Sequence, residues 1–138
     1  LRENRTAPVI EEMTRRTAKA HGAELDMARA FLAMLEGDRE ALTAPFDRTT
    51  ANTRDPENLY YMSLMAAHVG DDERTLAMLE RAVAGGWFCH ATIARETWLE
   101  AVRDTPRFVA ALAQAEAGHR HAAAAFLEAG GDRFLGLS

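Results

Sequence analysis

DPENLYYMSLMAAHVGDDERTLAMLERAVAGG, residues 55–86, is the stretch that decides the fold. Asp55-Pro56 reads as a helix N-cap followed by proline at the first helical position, where its missing N–H is no loss. Leu59, Met62 and Ala66 then recur at helical spacing, and Gly70-Asp71 ends that helix and opens the next. The second helix carries Leu76, Leu79, Ala82 and Val83 on one face before Gly85-Gly86 stops it. Two amphipathic helices joined by so short a turn must lie antiparallel, so the segment is a helical hairpin of about 30 residues.

The pattern continues toward the N-terminus. Residues 47–55 form a polar connection, preceded by a helix that bears Leu42 and Phe46 and that Pro45 should shorten or bend. Gly37-Asp38 separates it from a helix over about 23–36 whose apolar face is Leu25, Ala28, Phe31, Leu32 and Leu35. A first helix starts at Thr6 with Ala7-Pro8 and carries a weak stripe of Val9, Ile10, Met13, Thr17 and Ala20 as far as His21-Gly22. Glu11/Arg15 and Glu12/Arg16 pair on its wet face.

Beyond Trp87-Phe88, a short helical stretch holds Ile93, Trp98, Leu99 and Val102 and closes at Asp104. Thr105-Pro106 repeats the cap-plus-proline signal and opens the longest helix. Phe108, Leu112, Ala115, His119, Ala122 and Phe126 follow steps of four and three, one continuous face that predicts burial up to Gly130-Gly131, with Gly118 the weak point inside it.

Composition agrees. Alanine makes up about a fifth of the 138 residues, while β-branched and aromatic residues are sparse, a balance that favours helix over strand. A chain of this length fits one domain, 1–138, with a core that needs no staples. The net charge of −5 falls wholly within residues 55–138, a surface that repels a phosphate backbone, so no nucleic-acid partner is expected. No apolar run reaches the length of a membrane span. Cys89 is the only cysteine and forms no internal disulfide, which makes the cytoplasm the expected location. The opening Leu1-Arg2-Glu3-Asn4-Arg5, without an initiator Met or an apolar signal core, reads as a cut through a longer protein.

The two Gly-Asp turns lie 33 residues apart, and Leu25, Ala28 and Leu32 map onto Leu59, Met62 and Ala66 with a shift of 34. With that period, residues 56–86 resemble the tetratricopeptide repeat: Leu59, Met62, Ser63, Ala66, Gly70, Thr75, Leu79 and Ala82 stand where that family has its large, small, aromatic, glycine and alanine pattern. Ala66 replaces the usual tyrosine and Thr75 the usual alanine, and the unit at 23–49 is weaker. Residues 87–138, with the stretch from Trp98 to Phe108 most characteristic, are similar to the tail that closes repeat arrays behind a protein kinase, a nucleotide cyclase or a DNA-binding activator domain in bacterial signalling and regulatory proteins. The resemblance implies an all-α superhelix of antiparallel hairpins, in units at about 23–49, 56–86 and 87–129, with the long last helix capping the stack. About seven helices are expected.

In this family the first helix of each repeat lines a groove that holds a partner segment. Carried over by position, the groove residues are Glu57, Tyr60, Leu64, Ala67 and His68 in the better unit and Asp26, Ala30 and Met34 in the weaker one. A protein or peptide partner is the function so implied; a homo-oligomer, pairing the apolar faces of the first and last helices, is the alternative.

Other constellations read as packing. His119 and His121 point in different directions on a helix and cannot share a metal ion with each other, and His119 is expected at the core boundary. Cys89-His90 invites a thiolate enzyme completed by His119, yet chain neighbours rarely reach nucleophile-to-base geometry, and a small buried thiol is the expectation. Ser63 occupies the repeat's small packing slot, leaving no hydrolase nucleophile. Asp71-Asp72-Glu73 caps a helix. The Gly-Gly pairs follow helices and no glycine-rich loop carries a lysine, so no phosphate cradle and no cofactor is implied. Arg15, Arg16 and Lys19 read as a solvated face beside Glu11 and Glu12.

Overall fold

The computed structural model describes residues 3–136, and these are all-helical, with no strand. α1 (Glu3–Thr17) packs on α2 (Gly22–Glu36), which forms an antiparallel hairpin with α3 (Arg39–Asn52); α4 (Pro56–His68) and α5 (Asp72–Ala84) form the next. α6 (His90–Arg95) and a 3₁₀ helix (Thr97–Val102) pack against α7 (Pro106–Glu128) and the second hairpin, and α8 (Gly131–Phe134) ends the described chain. The arrangement is that of a helical repeat, each hairpin packing on its neighbour.

The two Gly-Asp turns are the same structure written twice. Gly37 (φ 69°) and Gly70 (φ 71°) both adopt the left-handed conformation that side chains disfavour. The following amide returns to a helix carbonyl in each, Asp38 N–H to Ala33 O and Asp71 N–H to Ala66 O, both at 2.9 Å. Each aspartate then caps the next helix: Asp38 accepts from the Ala41 amide and Asp71 from the Arg74 amide. Asp55 and Thr105 cap α4 and α7 in the same way, each with proline behind it.

One core runs through both hairpins and under α7. Phe46, Leu79, Ala82, Val83, Ile93 and Leu99 are completely buried within it, and Phe108, Ala111 and Ala115 bring in the first half of α7. Arg107 reinforces that seating, donating to Glu73 at 2.8 Å and to Glu80 at 2.7 and 2.8 Å, and its guanidinium holds the Glu80 carboxyl below the usual range.

Several expectations are corrected. Pro45 does not shorten α3, which runs on to Asn52 through residues expected to be a polar loop. The carbonyl a proline leaves unpaired four residues earlier belongs to the exposed Ala41, where water can take it. The far end is held from outside: Arg81 of α5 donates to the carbonyls of Thr50 (3.0 Å) and Thr53 (2.9 Å), and Arg74 grips the Asp47 carboxylate at 2.9 and 2.8 Å. The stretch after Trp87 is broken at Glu96 into two short helices, and α8 lies beyond the expected stop, so nine helical elements stand among the described residues. Cys89 is exposed, because it lies in the N-cap position of α6 outside the core. The continuous face of α7 is buried only as far as Ala115. His119, Ala122 and Phe126 are exposed, since the second half of the helix projects past the elements that could cover it.

Candidate partner-binding groove

Between α2 and α4 the helices part enough to leave an apolar cleft of about 390 Å³. It is lined by Met27, Phe31 and Met34 of α2, by Asn58, Tyr61, Met62, Leu64 and Met65 of α4, and by Trp98 of the 3₁₀ helix. α2 packs chiefly on α3 and α4 chiefly on α5, so the seam between α2 and α4 is the looser one. Phe31 was expected to pack inward with the α2 stripe; instead it is 41% exposed and stands on the wall of this cleft, with Tyr61 at 53% and Trp98 at 46%. Met27 and Phe31 also border a second hollow, of about 240 Å³, between α1 and α2, which adds Met13, Arg16, Ala20, Glu24 and Ala28. Five of the chain's six methionines therefore line one or both of these two adjoining hollows.

The aromatic rim is held in place. The Tyr61 hydroxyl donates to Glu57 at 3.4 Å, and its ring tilts against Tyr60 with centroids 5.8 Å apart. Trp98 donates its backbone N–H to the Glu96 carboxylate at 3.1 Å, which caps the 3₁₀ helix, and its indole lies 4.8 Å from the His68 ring. Two walls of the cleft are thus fixed by carboxylates, and a third side chain, His68, backs the indole.

Of the residues carried over from the repeat resemblance, Met34 and Leu64 lie in the cleft, and Glu57 and His68 touch its rim through Tyr61 and Trp98. Ala67 is half-buried against the core and does not line the cleft. Three more are not groove residues. Tyr60 is only 2% exposed because Trp87 stacks on its ring, centroids 5.3 Å apart; burial pushes its phenol up to about 12. Ala30 is completely buried in the hairpin core. Asp26 lies on another face, against α3, where Arg48 donates to it at 2.7 and 3.0 Å and lowers its carboxyl from the usual range. The tyrosine that lines the cleft is Tyr60's neighbour Tyr61, one step around the helix. Phe31, Tyr61 and Trp98 escaped the sequence reading since helical spacing alone assigned the first and last to the core.

Ser63 is completely buried and donates to the Tyr60 carbonyl at 2.6 Å, as its packing slot requires. His90 and His119 come together across α6 and α7, ring centroids 5.0 Å apart, while His121 stands exposed on the projecting part of α7. No group of three or more His, Cys, Asp or Glu side chains that could hold a metal ion occurs among the described residues, and no described helix is long and apolar enough to cross a membrane. No family model matches the chain, and no curated protein or solved structure matches it either.

Proposed function

We propose that this chain is an interaction module of the tetratricopeptide type, which takes an apolar segment of a partner protein into the groove between α2 and α4. One observation carries the reading: nearly all the methionine of the chain lines two adjoining open hollows, whose walls present three large half-exposed aromatic rings. Exposed apolar surface is unfavourable unless something covers it, and unbranched, polarizable methionine adapts to a guest better than a branched side chain does. Parallel ridges on two helices leave a trough into which a third, amphipathic helix fits. The resemblance of the closing residues to array-ending tails supports a setting in which the module serves an attached signalling or transcription domain in a bacterial cytoplasm. In this reading Cys89, His90 and His119 have no catalytic role.

The test is affinity capture from native lysate with wild type and a Phe31→Ala/Trp98→Ala variant whose circular dichroism shows it folded. Partners retained by wild type and lost by the variant support the groove; identical captured sets reject it. A second reading, self-association, is favoured by a separate observation: Phe126 and Leu127 at the projecting end of α7 and Phe134 and Leu135 beside it are all exposed. Light scattering at micromolar concentration decides it, and a strictly monomeric chain removes it.

A further inference from the structure

Resting on the groove reading above, we infer that the groove's occupant is a basic amphipathic helix of a partner protein, rather than an acidic or neutral segment or a second copy of this chain. The inference comes from the charge distribution around the apolar floor. Among the described residues lining the main cleft there is no aspartate, glutamate, histidine, lysine or arginine, so the floor itself is indifferent to charge. Its borders are not. Glu57 accepts from the Tyr61 hydroxyl, which fixes a carboxylate beside that ring, and the Glu96 carboxylate accepts from the Trp98 backbone N–H. Glu24 borders the extension of the groove next to Met27 and Phe31, where Arg16 is the single base. Glu96 has bases beside it, Arg95 in the same surface hollow and Arg103 donating to its carbonyl at 2.8 Å, so the excess rests on Glu24 and Glu57 against Arg16 and gives that part of the groove mouth a negative potential that favours cationic guests.

The geometry sets the guest's form. The lining residues span 27–34 of α2 and 58–65 of α4, so the floor is about 11 Å long, room for roughly two turns of a guest helix. Such a helix would place large apolar residues at i, i+3/i+4 and i+7 on the methionine floor and keep lysine or arginine on its flanks, toward Glu24 and Glu57. A second copy offers a poorer match. The exposed end of α7 is apolar at Phe126 and Leu127, but Arg120 is already paired with Glu116 at 2.8 Å, and Glu128 and Asp132 accompany Arg133.

The experiment uses the whole 138-residue chain and three labelled synthetic peptides of about 18 residues. They share one leucine- and phenylalanine-bearing helical face and differ only in carrying lysine, glutamine or glutamate on the polar face. Fluorescence anisotropy at low ionic strength is expected to show the lysine peptide bound about tenfold tighter than the glutamate peptide, a gap that shrinks below about threefold in roughly 0.5 M salt. In a Glu24→Gln/Glu57→Gln variant the preference should largely disappear. Equal binding of all three peptides, or tighter binding of the glutamate peptide, overturns the charge inference. The groove reading survives that result if Phe31→Ala weakens every peptide. A preference that persists undiminished in the Glu24→Gln/Glu57→Gln variant also overturns it, because charge would then be read elsewhere. If no peptide binds, the groove reading itself falls, and a dimer broken by Phe31→Ala would assign the groove to a second copy.

Discussion

The indole of Trp87 lies on the ring of Tyr60, centroids 5.3 Å apart and planes 25° from parallel, and neither the Tyr60 hydroxyl nor the Trp87 Nε1 has a hydrogen-bond partner among the described residues. The stack joins α4 to the segment that leads into α6, and it is what removes Tyr60 from the groove.

A buried hydroxyl without a partner costs stability, so Tyr60→Phe should raise the unfolding free energy by about 0.5–1 kcal/mol, whereas Tyr60→Ala should lower it by about 3–5 kcal/mol. Tyr60 also gives a pH signature. Its phenol stays protonated to about 12 in the folded chain but ionises near 10 when unfolded, so the unfolded state sheds its proton first and stability falls as pH rises from 10 to 12. Tyr60→Phe should remove that part of the alkaline decline. Urea melts at pH 8 and 11 measure both effects, and a Tyr60→Phe protein less stable than wild type at pH 8 would mean that the hydroxyl is satisfied, by an internal water for example.

Asp71 is a buried carboxylate that caps α5, accepts from the Arg74 guanidinium at 2.9 Å and pairs with Arg39 at 3.3 Å. Burial raises its carboxyl, but the hydrogen bonds from Arg74 outweigh burial and the net shift is downward from the ordinary 3.8. A carboxyl so lowered adds stability above the unfolded value and loses it as pH falls through the folded one. Asp71→Ala should cost about 2–3 kcal/mol at pH 7, through the lost cap and the stranded arginines, and Asp71→Asn less. Thermal melts from pH 6 down to 2 should show a shallower acid decline in Asp71→Asn than in wild type; parallel curves would remove Asp71 from the account.

Gly118 lies inside α7 at the crossing with Phe88, where a Cβ would stand 2.5 Å from the ring. Alanine is better than glycine in a helix by about 1 kcal/mol, yet here the ring must move, so Gly118→Ala should lower stability by about 1 kcal/mol. In a Phe88→Leu background the same substitution should stabilise. A double-mutant cycle read by denaturant midpoints checks the change of sign, and additive effects would show that Phe88 does not set the requirement for glycine.

The hairpins were legible from Asp55-Pro56, Thr105-Pro106 and the paired Gly-Asp turns because capping chemistry is local: each signal satisfies amides within three residues of itself. The end of α3 was not legible. Its last turn is held by Arg81 and Arg74, whose relation to Thr50, Thr53 and Asp47 exists only after α5 has folded beside it. The groove divided the same way. Met34 and Leu64 followed from the repeat period, whereas Tyr60 and Tyr61 differ by a single step around α4, and which of them faces outward depends on Trp87, from a different part of the chain. Periodicity likewise placed Phe126 on the face of Phe108, but could not tell that α7 outlasts the body it packs on.

The arginines at the seam between the two hairpins bear on cooperativity. Arg39 reaches across to the Gly70 carbonyl and to Asp71, Arg74 reaches back to Asp47, and Arg81 closes the open end of α3. A stack of repeats tends to part where neighbouring units meet most weakly. Here that joint carries cross-links in both directions, so fraying of the first hairpin would strip the second of its partners, and heat should take both in a single transition.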